Sequence, residues 1–276
     1  MGCSSNIIAF YNKELHNEIR QKNSIESNMH LALKNKEFKL FLQPKFNLKN
    51  DDLIGAEALV RWQNPDGSYR FPNEFIPLFE SNGFCLKLDM YMIEEVCKQI
   101  RSWIDSGVEP IPISVNQSKL LFSDRNYPNN LEKIINKYNV PASLIILEIL
   151  EGVAANDMDF LNQQIETLHK KGFKVSMDDF GSGYSSLNML YQLKIDELKL
   201  DRGFLRKVSQ DNNERRQIIL EQIISFAKNL GIDTVAEGVE TKEDRDNLSA
   251  LGCDYGQGYF YEKPINAKDF SIKYMS

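Results

Sequence analysis

Hydrophobic and polar positions along the chain follow two alternating periods. From Phe38 onward, short apolar runs are separated by longer segments in which apolar residues recur three or four positions apart. Short runs are typical of buried strands, whereas the longer spacing is typical of amphipathic helices. The pattern therefore predicts strands and helices in alternation.

The predicted strands are short apolar runs bounded by turn residues or by a helical segment. They are expected at residues 38–46, 53–62, 111–115, 144–147, 173–177, 197–200, 234–236 and 255–260. A turn at residues 50–52 joins the first two strands, so we expect the first strand to run antiparallel.

The predicted helices between the strands are amphipathic, and several stop at a glycine. They are expected at residues 72–82, 86–106, 131–138, 157–171, 213–230 and 244–251. About eight strand–helix units predict an α/β fold, a TIM-like (β/α)8 barrel. A chain of 276 residues that is 42% hydrophobic is long enough for one such core.

The segment before the first strand is polar, with Leu, Ile and Met at helical spacing in residues 11–36. We interpret residues 1–36 as an N-terminal linker helix and residues 37–276 as the barrel. A helix that packs on the barrel without any chemistry of its own fits the same pattern.

The central apolar run ends at two adjacent carboxylates, Asp178 and Asp179, followed by a segment rich in glycine and serine. Neighbouring carboxylates repel each other unless positive charge lies against them, so the pair indicates a hard divalent cation such as Mg²⁺ or Mn²⁺. A turn that caps the next helix would also use Asp and Ser.

Polar residues stand at or near the end of nearly every predicted strand. They are Glu57, Asn116, Glu148, Asp178, Asp179, Lys199, Glu237 and Gln257. A closed barrel brings the carboxyl ends of its strands to one rim, where the active sites of such barrels lie. The arrangement therefore predicts a polynuclear metal site.

Charge and composition exclude some classes of binding partner and metal. The net charge of -6 argues against binding DNA or RNA polymers through a basic face. The four cysteines form no C-x-x-C pair and the three histidines are scattered, so zinc is not indicated. A cytoplasmic location fits these features best.

Several motifs together resemble the EAL-domain family, phosphodiesterases that open the bacterial second messenger cyclic di-GMP. The motifs are Gln43-Pro44, Glu57-Ala58-Leu59, Ser114-Val115-Asn116, residues 147–151, residues 178–183, residues 199–202, residues 237–240 and Gln257-Gly258-Tyr259. The resemblance covers about residues 37–265 and implies hydrolysis of cyclic di-GMP to linear pGpG.

By that resemblance, two divalent cations, Mg²⁺ or Mn²⁺, are implied. One would be bound by Glu57, Asn116, Glu148 and Asp178. Asp178 would bridge to the second cation, held by Asp179, and Glu237 would contribute directly or through water. Two such cations share the attacking water and the phosphoryl oxygen.

The resemblance also implies roles for residues outside the metal set. Lys199 matches the catalytic lysine, which orients the attacking water or stabilises its hydroxide form. Glu151 would anchor the loop at residues 180–186, which in the family links metal binding to dimerisation, so a homodimer is expected. The residues that match substrate-binding positions are Gln43, Leu59, Arg61, Asp201 and Gln257.

Three residues depart from the usual family motifs: Lys45, Leu150 and Gly203. The main alternative to the hydrolase is a receptor domain that binds cyclic di-GMP without cleaving it and signals through a protein partner. A second alternative is a barrel enzyme that acts on some other phosphodiester. The N-terminal helix resembles the connector after a GGDEF domain, so an upstream GGDEF or sensor domain absent from this chain is also expected.

Overall fold

The computed structural model describes residues 13–153, 158–181, 187–203, 205 and 214–275. The strands, numbered in chain order, are β1 Phe38–Asn47, β2 Leu53–Gln63, β3 Tyr69–Arg70, β4 Ile113–Gln117, β5 Ile145–Leu150, β6 Lys174–Phe180, β7 Glu197–Leu200, β8 Asp233–Glu237, β9 Tyr255–Gln257 and β10 Ile265–Asn266.

Helices cover most of the remaining described residues. They are α1 Lys13–Lys34, α2 Pro72–Asn82, α3 Cys85–Asp105, α4 Lys119–Phe122, α5 Tyr127–Tyr138, α6 Met158–Lys170, α7 Leu187–Gln192, α8 Glu214–Asn229, α9 Lys242–Ala250 and α10 Ala267–Tyr274. Two short 3-10 turns lie at Ala142–Leu144 and Glu151–Val153. No helix within the described ranges is both long and apolar enough to cross a membrane.

The strands of the described chain form one closed sheet. Its order is β10-β1-β9-β8-β7-β6-β5-β4-β2-β3, and an additional pairing of β1 with β2 closes it. Each neighbouring pair in the series β2, β4, β5, β6, β7, β8, β9 runs parallel, whereas β1 runs antiparallel to β9. The predicted (β/α)8 barrel with an antiparallel first strand is confirmed.

The chain divides into two compact units, one of residues 1–39 with 61–83 and the other of residues 40–60 with 84–276. In the described part of the smaller unit, four aromatic rings pack together: Phe38, Trp62, Phe75 and Phe79. The Trp62 indole also donates a hydrogen bond to Glu37 at 3.1 Å. The division predicted at residue 36 stays a prediction.

Two strands extend further than their apolar runs predicted. β5 continues past Glu148 to Leu150, and β6 continues through both aspartates to Phe180. Hydropathy ends a strand at the first charged residue, but backbone pairing continues because the charged side chains find partners inside the barrel. The pattern also missed β3, β10 and the C-terminal helix α10.

Candidate active site

The side chain of Lys199 lies at the centre of the candidate site, at the carboxyl end of β7. Its Nζ lies 2.8 Å from Glu237 Oε1, 2.9 Å from Glu148 Oε2, 2.9 Å from Asp178 Oδ1 and 3.5 Å from Glu57 Oε2. The lysine side chain is fully buried. We call these five residues the active-site layer.

The barrel explains why residues distant in sequence meet here. Glu57, Glu148, Asp178 and Glu237 come from β2, β5, β6 and β8, which are brought together by closure of the sheet. Side chains alternate along each strand, so one register directs all of these groups inward. The predicted convergence of polar residues at the strand ends is therefore found in the structure.

A bulge in β6 brings both aspartates to the site. Met177 pairs with Leu198 but Phe180 pairs with Leu200, so β6 contains one extra residue. Asp179 adopts the left-handed conformation with φ 59°, and its N–H donates to Asp178 Oδ1 at 2.9 Å. Adjacent residues of a regular strand face opposite sides; the bulge redirects them.

Because of this bulge, three carboxylates can share one cation. Asp178, Asp179 and Glu237 each offer an oxygen, and these atoms lie within 4.8 Å of one another. Carboxylate oxygens are the ligands that Mg²⁺ and Mn²⁺ prefer. The donor chemistry of the described residues therefore fits a hard divalent cation.

The same carboxylates keep Lys199 charged. Burial alone would lower the pKa of Lys199, but Glu148, Glu237, Glu57 and Asp178 raise it well above its usual value. Burial likewise would raise the pKa of Glu148, but Lys199 and then Lys45 lower it. Lys199 is therefore an ammonium group, and Glu148 is its ionised partner.

Other acids of the site hold their protons more tightly. Burial, together with the charges of Asp178 and Glu57, raises the pKa of Glu237 to about 8 despite the attraction of Lys199. Burial and neighbouring carboxylates also raise the pKa of Glu57 and of Asp179. These carboxylates are thus crowded together with too little positive charge for all of them to ionise.

Asn116 and Gln257 hold Glu57 in place, and Gln43 in turn is bonded to Gln257. Asn116 Nδ2 donates to Glu57 Oε1 at 2.9 Å, and Gln257 Nε2 donates to Glu57 Oε2 at 2.5 Å. Gln257 also donates to Gln43 Oε1 at 3.0 Å, and Gln43 donates to the Glu262 carbonyl at 3.1 Å. Predicted metal ligands and predicted substrate-binding residues therefore belong to one hydrogen-bond network.

The other predicted site residues lie on or next to three of the strands that carry the site. Leu59 and Arg61 follow Glu57 on β2, and the Arg61 guanidinium lies 5.2 Å from the centroid of the Phe71 ring. Asp201 directly follows β7, and its N–H donates to the Phe180 carbonyl. Glu151 is buried in the 3-10 turn after β5. In the loop that it was predicted to anchor, residues 182–186 lie outside the described residues.

The sequence analysis missed a second group of buried polar residues. Lys45 lies between Glu148 and Glu197, and Ser114 and Ser176 join the same hydrogen-bond cluster. A signal was present, because Ser114, Ser176 and Glu197 each stand two positions before Asn116, Asp178 and Lys199. Residues two apart on a strand face the same side.

A (β/α)8 barrel with a lysine-centred acidic site at the carboxyl ends of its strands is the class that this geometry defines. The family model of the EAL domain matches residues 26–264. The chain therefore belongs to the EAL-domain family, and the resemblance of its motifs is confirmed.

Two curated relatives show what members of the family do. The bifunctional diguanylate cyclase/cyclic di-GMP phosphodiesterase MucR of Pseudomonas aeruginosa is 32% identical over 259 residues, which cover 94% of this chain and 38% of that protein. The probable cyclic di-GMP phosphodiesterase PdeG of Escherichia coli is 34% identical over 238 residues, covering 86% of this chain and 46% of that protein. The chain thus spans less than half the length of either relative.

Solved structures agree with this assignment. The PaMucR phosphodiesterase in complex with c-di-GMP superposes with a TM-score of 0.83 at 33% identity, covering 90% of this chain and 99% of that chain. The EAL enzyme Bd1971, in its form bound to cAMP and cyclic-di-GMP, has a TM-score of 0.83 at 31% identity over 94% of this chain and 69% of that chain. The chain is similar to cyclic di-GMP phosphodiesterases in both sequence and fold.

Proposed function

We propose that this domain hydrolyses one phosphodiester bond of cyclic di-GMP, giving linear pGpG, with two divalent cations, Mg²⁺ or Mn²⁺. Water adds to phosphorus, one phosphorus–oxygen ester bond breaks, and the released oxygen takes up a proton. The observation that carries the proposal is the cluster of four carboxylates around the Lys199 ammonium group. The proposal is supported by two relatives of the same family, MucR, named as a cyclic di-GMP phosphodiesterase, and PdeG, named as a probable one.

The residues that would hold the cations are oxygen donors. Glu57, Asn116, Glu148 and Asp178 would bind the first cation. Asp178 and Asp179 would bind the second, to which Glu237 contributes directly or through water. Divalent cations at such a site lower the pKa of bound water and polarise the phosphoryl group.

Lys199 and Glu237 are the proposed catalytic residues. In the metal-free site the neighbouring carboxylates raise the pKa of Lys199, so it carries a proton there. Beside the cations, Lys199 would orient the attacking water or stabilise its hydroxide form. Glu237 accepts a hydrogen bond from that ammonium group at 2.8 Å and would hold the water on its other side.

Several roles remain predictions. Gln43, Leu59, Arg61, Asp201 and Gln257 are expected to bind the substrate, and Glu151 to anchor the loop after β6. A homodimer and an upstream GGDEF or sensor domain are also expected.

The test is incubation of the purified domain with cyclic di-GMP and Mn²⁺ or Mg²⁺, followed by separation of the products by chromatography. We expect linear pGpG, and no product when a chelator is present. Lys199→Ala should lower the rate about 100-fold or more, because it removes a preorganised charge from the reacting centre. Lys137→Ala is the matched control, since the Lys137 side chain is 61% exposed and pairs with Glu94 on the surface.

Binding of cyclic di-GMP should be measured on the same samples. Saturable binding without any product, with either metal, would replace the hydrolase with the receptor. Equal rates for Lys199→Ala and wild type would remove the proposed role of the lysine. Cleavage of a different phosphodiester in preference to cyclic di-GMP would indicate another substrate.

A further inference from the structure

Below the active-site layer, the barrel interior contains a second group of buried polar side chains. The Lys45 cluster consists of Lys45, Ser114, Ser176 and Glu197, and each of these residues is at most 5% exposed. TIM-barrel interiors are usually filled by bulky apolar residues. The buried ion pair of Lys45 and Glu197 is therefore unusual for this position, which suggests a specific role.

The ammonium group of Lys45 uses its three hydrogen-bond donors on three different strands. Its Nζ lies 2.7 Å from Ser114 Oγ, 2.9 Å from Glu197 Oε1 and 3.2 Å from Glu148 Oε1. A lysine ammonium has three donors, so none is left to rotate towards another acceptor. Ser176 Oγ also donates to Glu197 Oε1 at 2.9 Å, which fixes that carboxylate.

Glu148 connects the Lys45 cluster to the active-site layer. Its Oε1 accepts from Lys45 at 3.2 Å, whereas its Oε2 accepts from Lys199 at 2.9 Å. A carboxylate that is held by one oxygen presents its other oxygen in a single direction. Outer partners of metal-binding carboxylates orient them in this way.

We infer that Lys45 is a positioning residue, which holds Glu148 in the orientation needed to bind a divalent cation beside Lys199. This inference rests on the proposed function, in which Glu148 is a metal ligand. The competing explanation is purely structural: Lys45 neutralises the buried charge of Glu197, and its contact with Glu148 has no effect on the metal.

The space around Lys45 can accommodate another long side chain. A cavity of about 90 Å³ borders Lys45 and is also lined by Lys174, Asp233 and Tyr255. These three residues begin β6, β8 and β9, so the cavity lies at the end of the barrel opposite the candidate active site. A methionine at position 45 therefore has room, but Lys45→Met alone would leave Glu197 buried without its cation.

The experiment compares Mn²⁺ affinity in variants that separate the two explanations. Lys45→Met combined with Glu197→Gln removes both charges together, so we expect it to fold cooperatively. Glu197→Gln alone keeps Lys45 and its contact with Glu148 and is the matched control. Affinity is measured by Mn²⁺ electron paramagnetic resonance, and folding by the unfolding temperature in a chelator.

We expect the double variant to bind Mn²⁺ about 10–100-fold more weakly than wild type, the usual effect of losing an outer partner of a ligand. The Mn²⁺ affinity of the Glu197→Gln control should stay within about threefold of the wild-type affinity, because the contact between Lys45 and Glu148 is kept. Wild-type affinity in the folded double variant would overturn the inference, since Lys45 would then only neutralise Glu197.

If the double variant does not fold, the Ser114→Ala variant tests the positioning role of Lys45. It removes one of the three acceptors of Lys45 and should weaken Mn²⁺ binding severalfold; unchanged affinity would overturn the inference. If wild type binds Mn²⁺ but cleaves nothing, the proposed function fails while these affinities still test Lys45. If wild type binds no Mn²⁺, both proposals fall.

Discussion

Among the described residues, two lysines and five carboxylates form ion pairs inside the barrel, and burial together with these pairs shifts the pKa of several of them. Lys45 and Lys199 face Glu57, Glu148, Asp178, Glu197 and Glu237. Burying a charge costs several kcal/mol unless it is paired, so the lysines stay protonated. Glu237 is the acid whose pKa this crowding raises to about 8.

The raised pKa of Glu237 predicts how the stability of the metal-free protein depends on pH. The pKa rises from 4.5 to about 8 on folding, so between these values the folded state holds a proton that the unfolded state has lost. Stability should therefore fall as pH rises through this window, by at most about 1.4 kcal/mol per pH unit for this one proton. The Glu237→Gln variant has no titratable proton at this position, so its stability should fall less as the pH rises.

The measurement is the free energy of unfolding from urea titrations at pH 6 and pH 8 with a chelator present. Glu221→Gln, on an exposed face of α8, is the control and should follow the wild type. Glu57 and Asp179, whose pKa values are also raised, keep some pH dependence in every variant. Identical slopes in Glu237→Gln and wild type would contradict the assigned pKa.

At the scale of single elements, β9 and the turn after it support the candidate site through a close backbone approach. Gln257, which donates to Glu57, is followed by Gly258, where an added Cβ would overlap the backbone nitrogen and oxygen of Val239. That backbone is already engaged, since Val239 N–H donates to the Gln257 carbonyl at 3.1 Å. Only a residue without a side chain fits there.

Gly258→Ala should destabilise the protein by about 1–3 kcal/mol, because the methyl group forces the two backbone segments apart. The displaced Gln257 should also release Glu57, so activity should fall more than the loss of folded protein explains. Gly152→Ala is the control, since a Cβ there meets nothing within 4 Å. Thermal unfolding with parallel assays of cyclic di-GMP hydrolysis measures both effects; equal stability of the two variants would refute the packing argument.

The sequence predicted the eight strands of the barrel, though not β3 and β10, because hydrophobic runs, turn residues and glycine stops are local signals. It also predicted that Glu57, Glu148 and Glu237 meet, although only Glu148 and Glu237 stand near the ends of their strands and Glu57 lies in the middle of β2. It did not predict the bulge at Asp179, which depends on how β6 pairs with β7. Nor did it predict the partners of Lys45, because they depend on barrel closure and not on local pattern.

At the scale of the whole domain, the candidate site concentrates negative charge in one place. In the active-site layer, four carboxylates surround one ammonium group, and Asp179 adds a further acid beside Asp178. Divalent cations would supply the missing positive charge. Metal binding and folding should therefore be coupled.

Mn²⁺ should raise the unfolding temperature of the domain, with about 2.7 kcal/mol of stabilisation when the free metal is 100 times the dissociation constant. Binding should also release protons at pH 7, because Glu237 must lose its proton to act as a ligand. Calorimetric titrations in two buffers of different ionisation enthalpy measure that release. Asp178→Asn should lose most of both effects, whereas no thermal shift in wild type at millimolar Mn²⁺ would argue against the metal site.

The antiparallel strand β1 has a consequence for how the domain folds. It is the seam of the sheet, pairing with β9 on one side and β2 on the other, and it carries Lys45. If this seam opened, departure of the Lys45 ammonium group would leave Glu197 in the barrel interior without its cation, and Glu148 would keep only Lys199 as a partner. We therefore expect detachment of β1 to cost free energy beyond its lost backbone pairing, so that β1 leaves the sheet only when the barrel itself opens.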